Sequence, residues 1–347
     1  IRTKILDRHL KELFVHGVEA PDGTKFGGKG FRSTWQESVA ACGSALILGK
    51  DVAAPMIRDL GLALAMGQTP ISIMAAQMGK SGSNMSGGQE NGGGRDLHIG
   101  EWSRGILPPT APLPIASATT TGIALASFRL GLDRFHLAPV GEGCSSNGEF
   151  WEAINFAGAR GLPICYIIQN NQIALDTFSN KQSGAETFGD KGASVGLPSW
   201  TIDGSDPASY YASVSVAREL AVSGHGGSII HVETMRGCGH AHHHDDLYLG
   251  APSGTPPGYV DRDLLSYWEA KDPIPTHREL LISLGISEDE LTETILELAQ
   301  DYTKADFEDA KEYYADDAKV FFNSTEVNGK DKIFEGEVDF VSSRINA

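Results

Sequence analysis

The hydrophobic pattern is densest between residues 135 and 168, where it reads as one strand–helix–strand unit. Residues 135–140 form a short apolar run. Phe150, Ile154 and Ala157 then recur at helical spacing, and Gly161 with Pro163 supplies a stop signal. Residues 164–168 are unbroken and apolar, as a strand buried on both faces would be. Such a unit implies parallel strands with a right-handed crossover. The predicted fold class is therefore α/β, a doubly wound parallel sheet flanked by helices. Glu142 and Asn171 fall just past the carboxyl ends of the two strands, where open α/β sheets bind ligands.

The same pattern divides the rest of the chain. Residues 1–16 read as an amphipathic helix with Leu6, Leu10, Leu13 and Phe14 on one stripe, followed by a loop over 17–30. Ser33 or Thr34 caps a helix opening at residues 33–37. Seven glycines among residues 79–94 exclude a regular element there. Ala111-Pro112-Leu113-Pro114 precedes a small-residue helix over 116–130. Residues 177–196 form a polar loop. Residues 200–204 are a strand and turn, Asp206-Pro207 starts a helix, and Ser228–Glu233 is a further strand. Exposed amphipathic helices follow over 261–300. The expected organisation is a helix and loop (1–30), an α/β domain (31–260) and a helical, acidic extension (261–347), without internal repeats.

The turn after residue 140 carries the candidate chemistry. Glu142 sits between Gly141 and Gly143, and Asn170-Asn171 follows the next strand, 29 positions after Glu142. A carboxylate, a carboxamide oxygen and a backbone carbonyl, for which Ile173 is the candidate, make a hard oxygen site. Mg²⁺ takes near-octahedral oxygens and commonly leaves positions for phosphates. The glycines permit close backbone approach. A helix opening near Asn147 turns its amides and positive dipole end toward the same spot. A glycine-flanked acid alone is more often an ordinary connection; the paired asparagines after a buried strand favour a magnesium-bound diphosphate.

Charge and cysteine usage narrow the class. The net charge of −17 argues against nucleic acid. Residues 288–347 contribute −11 of it, so an anionic substrate needs local Arg and His rather than a global field. Forty-one glycines fit an enzyme with many tight loops. No apolar run approaches a membrane span, and no secretory segment opens the chain. The first residue is not Met, which suggests a trimmed chain. Cys42, Cys144, Cys165 and Cys238 are scattered without a disulfide-like framework, which points to a reducing cytoplasm or organelle matrix.

Gly141-Glu142-Gly143 with Asn170-Asn171 resembles the thiamine-diphosphate motif, with Glu in place of the more usual Asp. Trp35-Gln36-Glu37, Met56-Ile57-Arg58-Asp59-Leu60-Gly61, Arg95-Asp96-Leu97-His98, the run from Arg236 to Asp246 and Asp272-Pro273-Ile274 extend the likeness over roughly residues 5–300. Together they resemble the alpha subunit of the decarboxylating component of 2-oxoacid dehydrogenase complexes, and the Glu variant resembles its branched-chain members. The resemblance implies a thiamine-diphosphate-binding fold with Glu142, Asn171 and the Ile173 carbonyl on Mg²⁺. It implies cofactor contacts from Arg58, His98, Gly141, Gly143, Cys144, Asn171 and Arg236, with Leu113 wedged beneath the cofactor. Ile57 stands where a tyrosine is usual and forgoes one hydroxyl contact.

His240 fits the family's Gly-His step, contacting the diphosphate or the reacting acyl group. The segment has one extra residue and further histidines, so His242 is the alternative catalytic group. His240, His242, His244 and Asp245 also nearly match a zinc hydrolase spacing, with the aspartate one place off. Having little apolar surface to bury, the segment is expected to order only around an anion.

The implied reaction is decarboxylation of a 2-oxo acid, branched-chain type or pyruvate, then reductive acylation of a lipoyl group on an acyltransferase core. The carboxylate that activates the cofactor's pyrimidine is expected from a beta subunit, as a separate chain or a continuation of this one. An acetoin-cleaving or other split-subunit thiamine enzyme, and a noncatalytic homologous subunit, are the alternatives.

Overall fold

The computed structural model describes residues 1–19, 25–26, 30–77, 98–295, 319–322 and 325–328. The glycine-rich stretch at 79–94 and most of the acidic tail lie outside the described residues. The centre is a five-stranded, all-parallel sheet. Its strands are β1 (Val52–Ala53), β2 (His136–Gly141), β3 (Ile164–Asn170), β4 (Ser199–Asp203) and β5 (Ser228–Glu233), in the order β1-β2-β3-β5-β4.

The unbroken apolar runs have a direct cause, because the sheet separates two cores. Leu137, Cys165, Ile167, Ile230 and Val232 point into one core, against Val39, Cys42, Leu62 and the Tyr210, Val214 and Ala217 stripe of a helix. Their neighbours Ala138, Val140, Ile164, Tyr166, Ile168 and Ile229 point into the other. There they meet Ala124, Phe150, Ala153, Ile154 and Ala157. The period of two sends alternate residues to opposite faces, and both faces are covered. All seven residues of β3 are buried. Fully burying each large apolar side chain contributes roughly 1.5–3 kcal/mol.

Helices α2 (Ile115–Arg129) and α3 (Gly148–Arg160) cover the second face, and α4 (Pro207–Val222) covers the first. Gly161 ends α3 in the left-handed conformation, φ 60°, where glycine carries no Cβ penalty. Asp206 caps α4 by accepting from the Ala208 and Ser209 amides, at 3.0 and 3.1 Å. The first helix, α1 (Arg2–His16), buries Leu6 and Leu10 against Leu60, Leu64, Ile73 and Ile99. Trp268, on α5 (Arg262–Glu269), packs with Ile173, Met235 and Tyr248. A further helix, α6 (Pro273–Ser283), is capped by Asp272. All four cysteines are free thiols. Among the described residues no helix is long and apolar enough to cross a membrane.

Two local expectations are corrected. Ser33 and Thr34 cap nothing: the Ser33 hydroxyl donates to the Arg58 carbonyl and the Thr34 hydroxyl to Asp7 Oδ2. Asp7, 2% exposed, also accepts from the Ser33 amide and Arg32. These side chains therefore tie α1 to the body, and a 3-10 turn begins at Glu37 instead. The stretch 177–196 is not an irregular loop throughout. It holds one strand of a short hairpin (Ile173–Ala174 with Thr177–Phe178) and a 3-10 helix, Phe188–Val195, closed by a Thr187/Asp190 capping box.

His136 opens β2 with no exposed surface, its Nδ1 3.0 Å from the Pro163 carbonyl and its Nε2 3.1 Å from the Ser127 hydroxyl. Burial holds it down at about 4, so the folded chain keeps it neutral where the unfolded chain takes up a proton. Stability from this residue is therefore lost as pH falls from 6.5 toward 4, on the order of 3 kcal/mol in full. Denaturation midpoints at fixed protein concentration should drop between pH 6.5 and 4.5. His136→Gln should flatten that drop, and an unchanged slope in the variant would show that the titration lies elsewhere.

Candidate functional site

Parallel register brings the two motif halves together. Gly141 pairs with Gln169, so the next residue on each side leaves the sheet at the same end. The Glu142 amide donates to the Gln169 carbonyl (3.2 Å). Its carboxylate is buried at 1% exposure, with Gln182 Nε2 3.4 Å from Oε1. Burial pushes this carboxyl above the usual carboxylate range, while the Arg58 guanidinium and the Asn171 amide pull it back. A 3-10 turn, Cys144–Ser146, stands between Glu142 and α3.

Asn171 faces Glu142 from β3. Its Oδ1 lies 3.0 Å from the Ile173 carbonyl oxygen, and its Nδ2 donates to Gln36 Oε1 at 3.1 Å. Two acceptor oxygens facing each other repel, so in the absence of a cation the reversed amide is the favoured orientation. Adjacent ligands of an octahedron at the Mg²⁺–oxygen distance sit about 2.9 Å apart, close to this 3.0 Å spacing. With the amide reversed, its nitrogen would donate to that carbonyl and its oxygen accept from Arg58 Nη1 at 3.3 Å. Gln172, between Asn171 and Ile173, is left-handed at φ 77°, a strained conformation for a non-glycine residue. Its side chain is anchored to Glu233 (2.8 Å) and the Thr234 carbonyl (3.1 Å). Asn170 donates to the same carboxylate and turns away from Glu142.

Arg58 completes this corner. A Cβ on Gly141 would stand 3.5 Å from Arg58 Nη2, so the guanidinium lies over the glycine. Its Nε and Nη2 are buried with no hydrogen-bond partner among the described residues, which leaves two donors for a ligand, while its charge already faces Glu142 and Asp59. Gly143 is required sterically, since a Cβ there would meet the Ala174 Cβ at 2.6 Å. Cys144 stays a thiol, burial raising it above its ordinary value with Arg58 opposing. A cavity of about 250 Å³ opens here, lined by Gly143, Ser146, Ala174, Thr177 and Gln182.

Arg236, 3% exposed, donates through Nη2 to the Leu175 carbonyl (2.7 Å), stacks over Tyr248 and leaves Nε unpaired. Its Nη1 is 3.3 Å from His240 Nδ1. Burial, then the Arg236 and Arg58 charges, hold His240 down at about 4. The ring is therefore neutral at pH 7, with Nδ1 accepting and Nε2–H free to donate. His242 points elsewhere: it is 2% exposed against Phe14 of α1, with both ring nitrogens unpaired. Burial, then Arg32 and Lys11, hold it also at about 4. The zinc spacing does not close, for among the described residues no three His, Cys, Asp or Glu side chains converge on a metal position.

The expectation that this segment buries little is likewise corrected. Arg236, Cys238, Ala241 and His242 are at most 3% exposed, and Asp245 anchors the segment to Lys11 and Arg32, both at 2.9 Å. Leu113 is half exposed, and its carbonyl accepts from Asn147 Nδ2 (2.8 Å) at the head of α3. His98 is half-buried and leads into residues 101–106, where Ile106 bridges Ala53 at the β1 edge. Sequence reasoning missed Gln36 and Gln182, which hold Asn171 and Glu142. Gln36 lay in a noted tripeptide without an assigned role; Gln182 lay in a polar stretch with no signal at all. A larger cavity, about 470 Å³, lies beyond Gln172 beside α5, but its acids are paired, Asp203 with Lys271 and Glu233 with Asn170 and Gln172.

The family model described as the dehydrogenase E1 component matches residues 28–319. The 2-oxoisovalerate dehydrogenase subunit alpha of Bacillus subtilis (strain 168) is 30% identical over 75% of this chain and 76% of its own length. The pyruvate dehydrogenase E1 component subunit alpha of Bacillus cereus is 35% identical over 53% of this chain and 47% of its own. That of Staphylococcus epidermidis (strain ATCC 12228 / FDA PCI 1200) is 35% identical over 55% and 49%. This chain thus spans about half the length of the pyruvate relatives it matches. With its parallel sheet and its match across most of its length, the chain belongs to the dehydrogenase E1 component family, as an alpha subunit of the 2-oxoacid dehydrogenase type.

Proposed function

We propose that this subunit holds Mg²⁺ and the diphosphate of thiamine diphosphate for the decarboxylation of a 2-oxo acid, of branched-chain type, and for reductive acylation of a lipoyl group on an acyltransferase core. The observation that carries this reading is the oxygen set of Glu142, Asn171 and the Ile173 carbonyl, beneath the unpaired nitrogens of Arg58. The 2-oxoisovalerate relative, matched over most of its own length, supports the branched-chain choice.

Bound thiamine diphosphate supplies the electron sink for decarboxylation. In this chain Glu142 and Asn171 would bind the cation, and Gln36 and Gln182 would hold those two side chains in register. Arg58 would face the diphosphate with two free donors, and Arg236 would add charge from the opposite segment. Neutral His240, oriented by Arg236 through Nδ1, would offer Nε2–H to the diphosphate or to the acyl oxygen. Leu113 would present its open side chain beneath the cofactor, and His98 would line the channel. The carboxylate that polarises the pyrimidine would come from a beta subunit, separate or continuous with this chain. The active site would then lie between the two parts.

Three outcomes follow, two for the assembled protein and one for the lone chain. Glu142→Gln should weaken thiamine diphosphate binding with Mg²⁺ by at least about 100-fold, since losing outer partners of a metal ligand alone costs roughly 10–100-fold. Calorimetric titration measures this, and unchanged affinity would sink the magnesium assignment. The chain alone should give no steady decarboxylation, with activity restored by the beta partner; turnover by the lone chain would refute the split site. His240→Ala should lower lipoyl-dependent turnover by roughly 100-fold, the scale of one lost donor at a developing charge. His242→Ala should leave turnover nearly unchanged, and the reverse ranking would transfer the role to His242.

A further inference from the structure

Lys191 stands apart from every role assigned above. It lies on the 3-10 helix Phe188–Val195 and is 6% exposed. Its Nζ donates to the Ser145 carbonyl at 2.8 Å. The ammonium also sits 4.9 Å from the Trp151 ring centroid and 5.5 Å from that of Phe188. Burial lowers its pKa, and among the described residues no carboxylate offsets that burial. An ammonium removed from water without a counter-charge is destabilising, so its retention calls for a cause beyond packing.

Its hydrogen bond indicates that cause. Ser145 is fully buried, and both its amide (3.2 Å) and its hydroxyl (2.6 Å) donate to the Glu142 carbonyl. Lys191 therefore fixes Ser145, and Ser145 fixes the backbone that carries the Glu142 carboxylate. The aromatic faces of Trp151 and Phe188 partly stabilise the charge without cancelling it. A net positive charge is thus held behind the Cys144–Ser146 turn. In a low-dielectric setting its field reaches an anion bound on the other side.

We propose that Lys191 is a positioning residue for the diphosphate site, setting Glu142 through Ser145 and adding a buried positive charge that favours a bound diphosphate. This rests on the reading that the site takes Mg²⁺ and a diphosphate. The division of labour is specific. Arg58 meets the ligand directly, whereas Lys191 acts through the turn and touches neither cofactor nor substrate. Its cost falls on the cofactor-free protein and its benefit on the bound one, a trade between stability and function.

The test compares wild type, Lys191→Met and Lys191→Arg in the assembled protein, by titration with thiamine diphosphate at fixed Mg²⁺ and by melting after cofactor removal. Lys191→Met should bind the cofactor roughly tenfold more weakly, the scale of one partly buried charge acting across a turn. Its cofactor-free melting temperature should equal or exceed that of wild type. Lys191→Arg should restore most of the affinity. At saturating cofactor the KM for the 2-oxo acid should match wild type in both variants. Equal cofactor affinity in wild type and Lys191→Met would overturn the proposal. So would weakened binding that Arg does not restore, accompanied by a lower cofactor-free melting temperature, since that marks a purely structural lysine. Wild type that binds no thiamine diphosphate would overturn the diphosphate reading and this proposal together.

Discussion

Glu142 is a carboxylate held at 1% exposure, at the end of a sheet, with a guanidinium and two amide groups for company. Burial makes a carboxylate of this kind costly to ionise, and the Arg58 charge offsets only part of that cost. Beside it, the Asn171 carboxamide lies 3.0 Å from the Ile173 carbonyl oxygen, and a cation there would hold the carboxamide oxygen toward that carbonyl. Around this corner the rest of the protein reads as support. Gln36 and Gln182 hold Asn171 and Glu142, Gln172 accepts a strained backbone to bring Ile173 round, and Glu233 anchors Gln172.

The two-core sheet is what makes the corner accurate. Because β2 and β3 are buried on both faces, a slip of one residue would turn apolar side chains into the wrong core along the whole strand. Register is therefore tightly fixed, and with it the meeting of Glu142 and Asn171. Asp59 adds a lateral tie. It is fully buried, accepts from Gln169 of β3 at 3.1 Å, and follows Arg58 directly. The guanidinium is thereby referenced to the strand that carries Asn171.

Much of this was legible in the sequence where a pattern had one physical meaning. The apolar run at 164–168 admits few readings other than a strand buried on both faces, and the Gly161 stop and Asp206 cap act locally. A cap and a tertiary hydrogen bond use the same side chains, and the Arg58 carbonyl decides for Ser33 as Asp7, 27 residues away, decides for Thr34. The histidine run was ambiguous for a similar reason. Spacing places His240 and His242 alike, but Phe14 takes one ring and Arg236 the other. Gln182 and Lys191 left no trace, since a polar residue in a polar stretch signals nothing until the fold brings it to its partner.

The account's central claim is that three oxygens of this chain hold the divalent cation of a diphosphate cofactor. Anomalous diffraction tests it most directly, using crystals of the assembled protein grown with thiamine diphosphate and Mn²⁺ in place of Mg²⁺. The account predicts one strong peak within about 2.3 Å of the Glu142 carboxylate, Asn171 Oδ1 and the Ile173 carbonyl oxygen together. A peak among His240, His243 and His244 instead, or one at the diphosphate that touches none of those three oxygens, would contradict it.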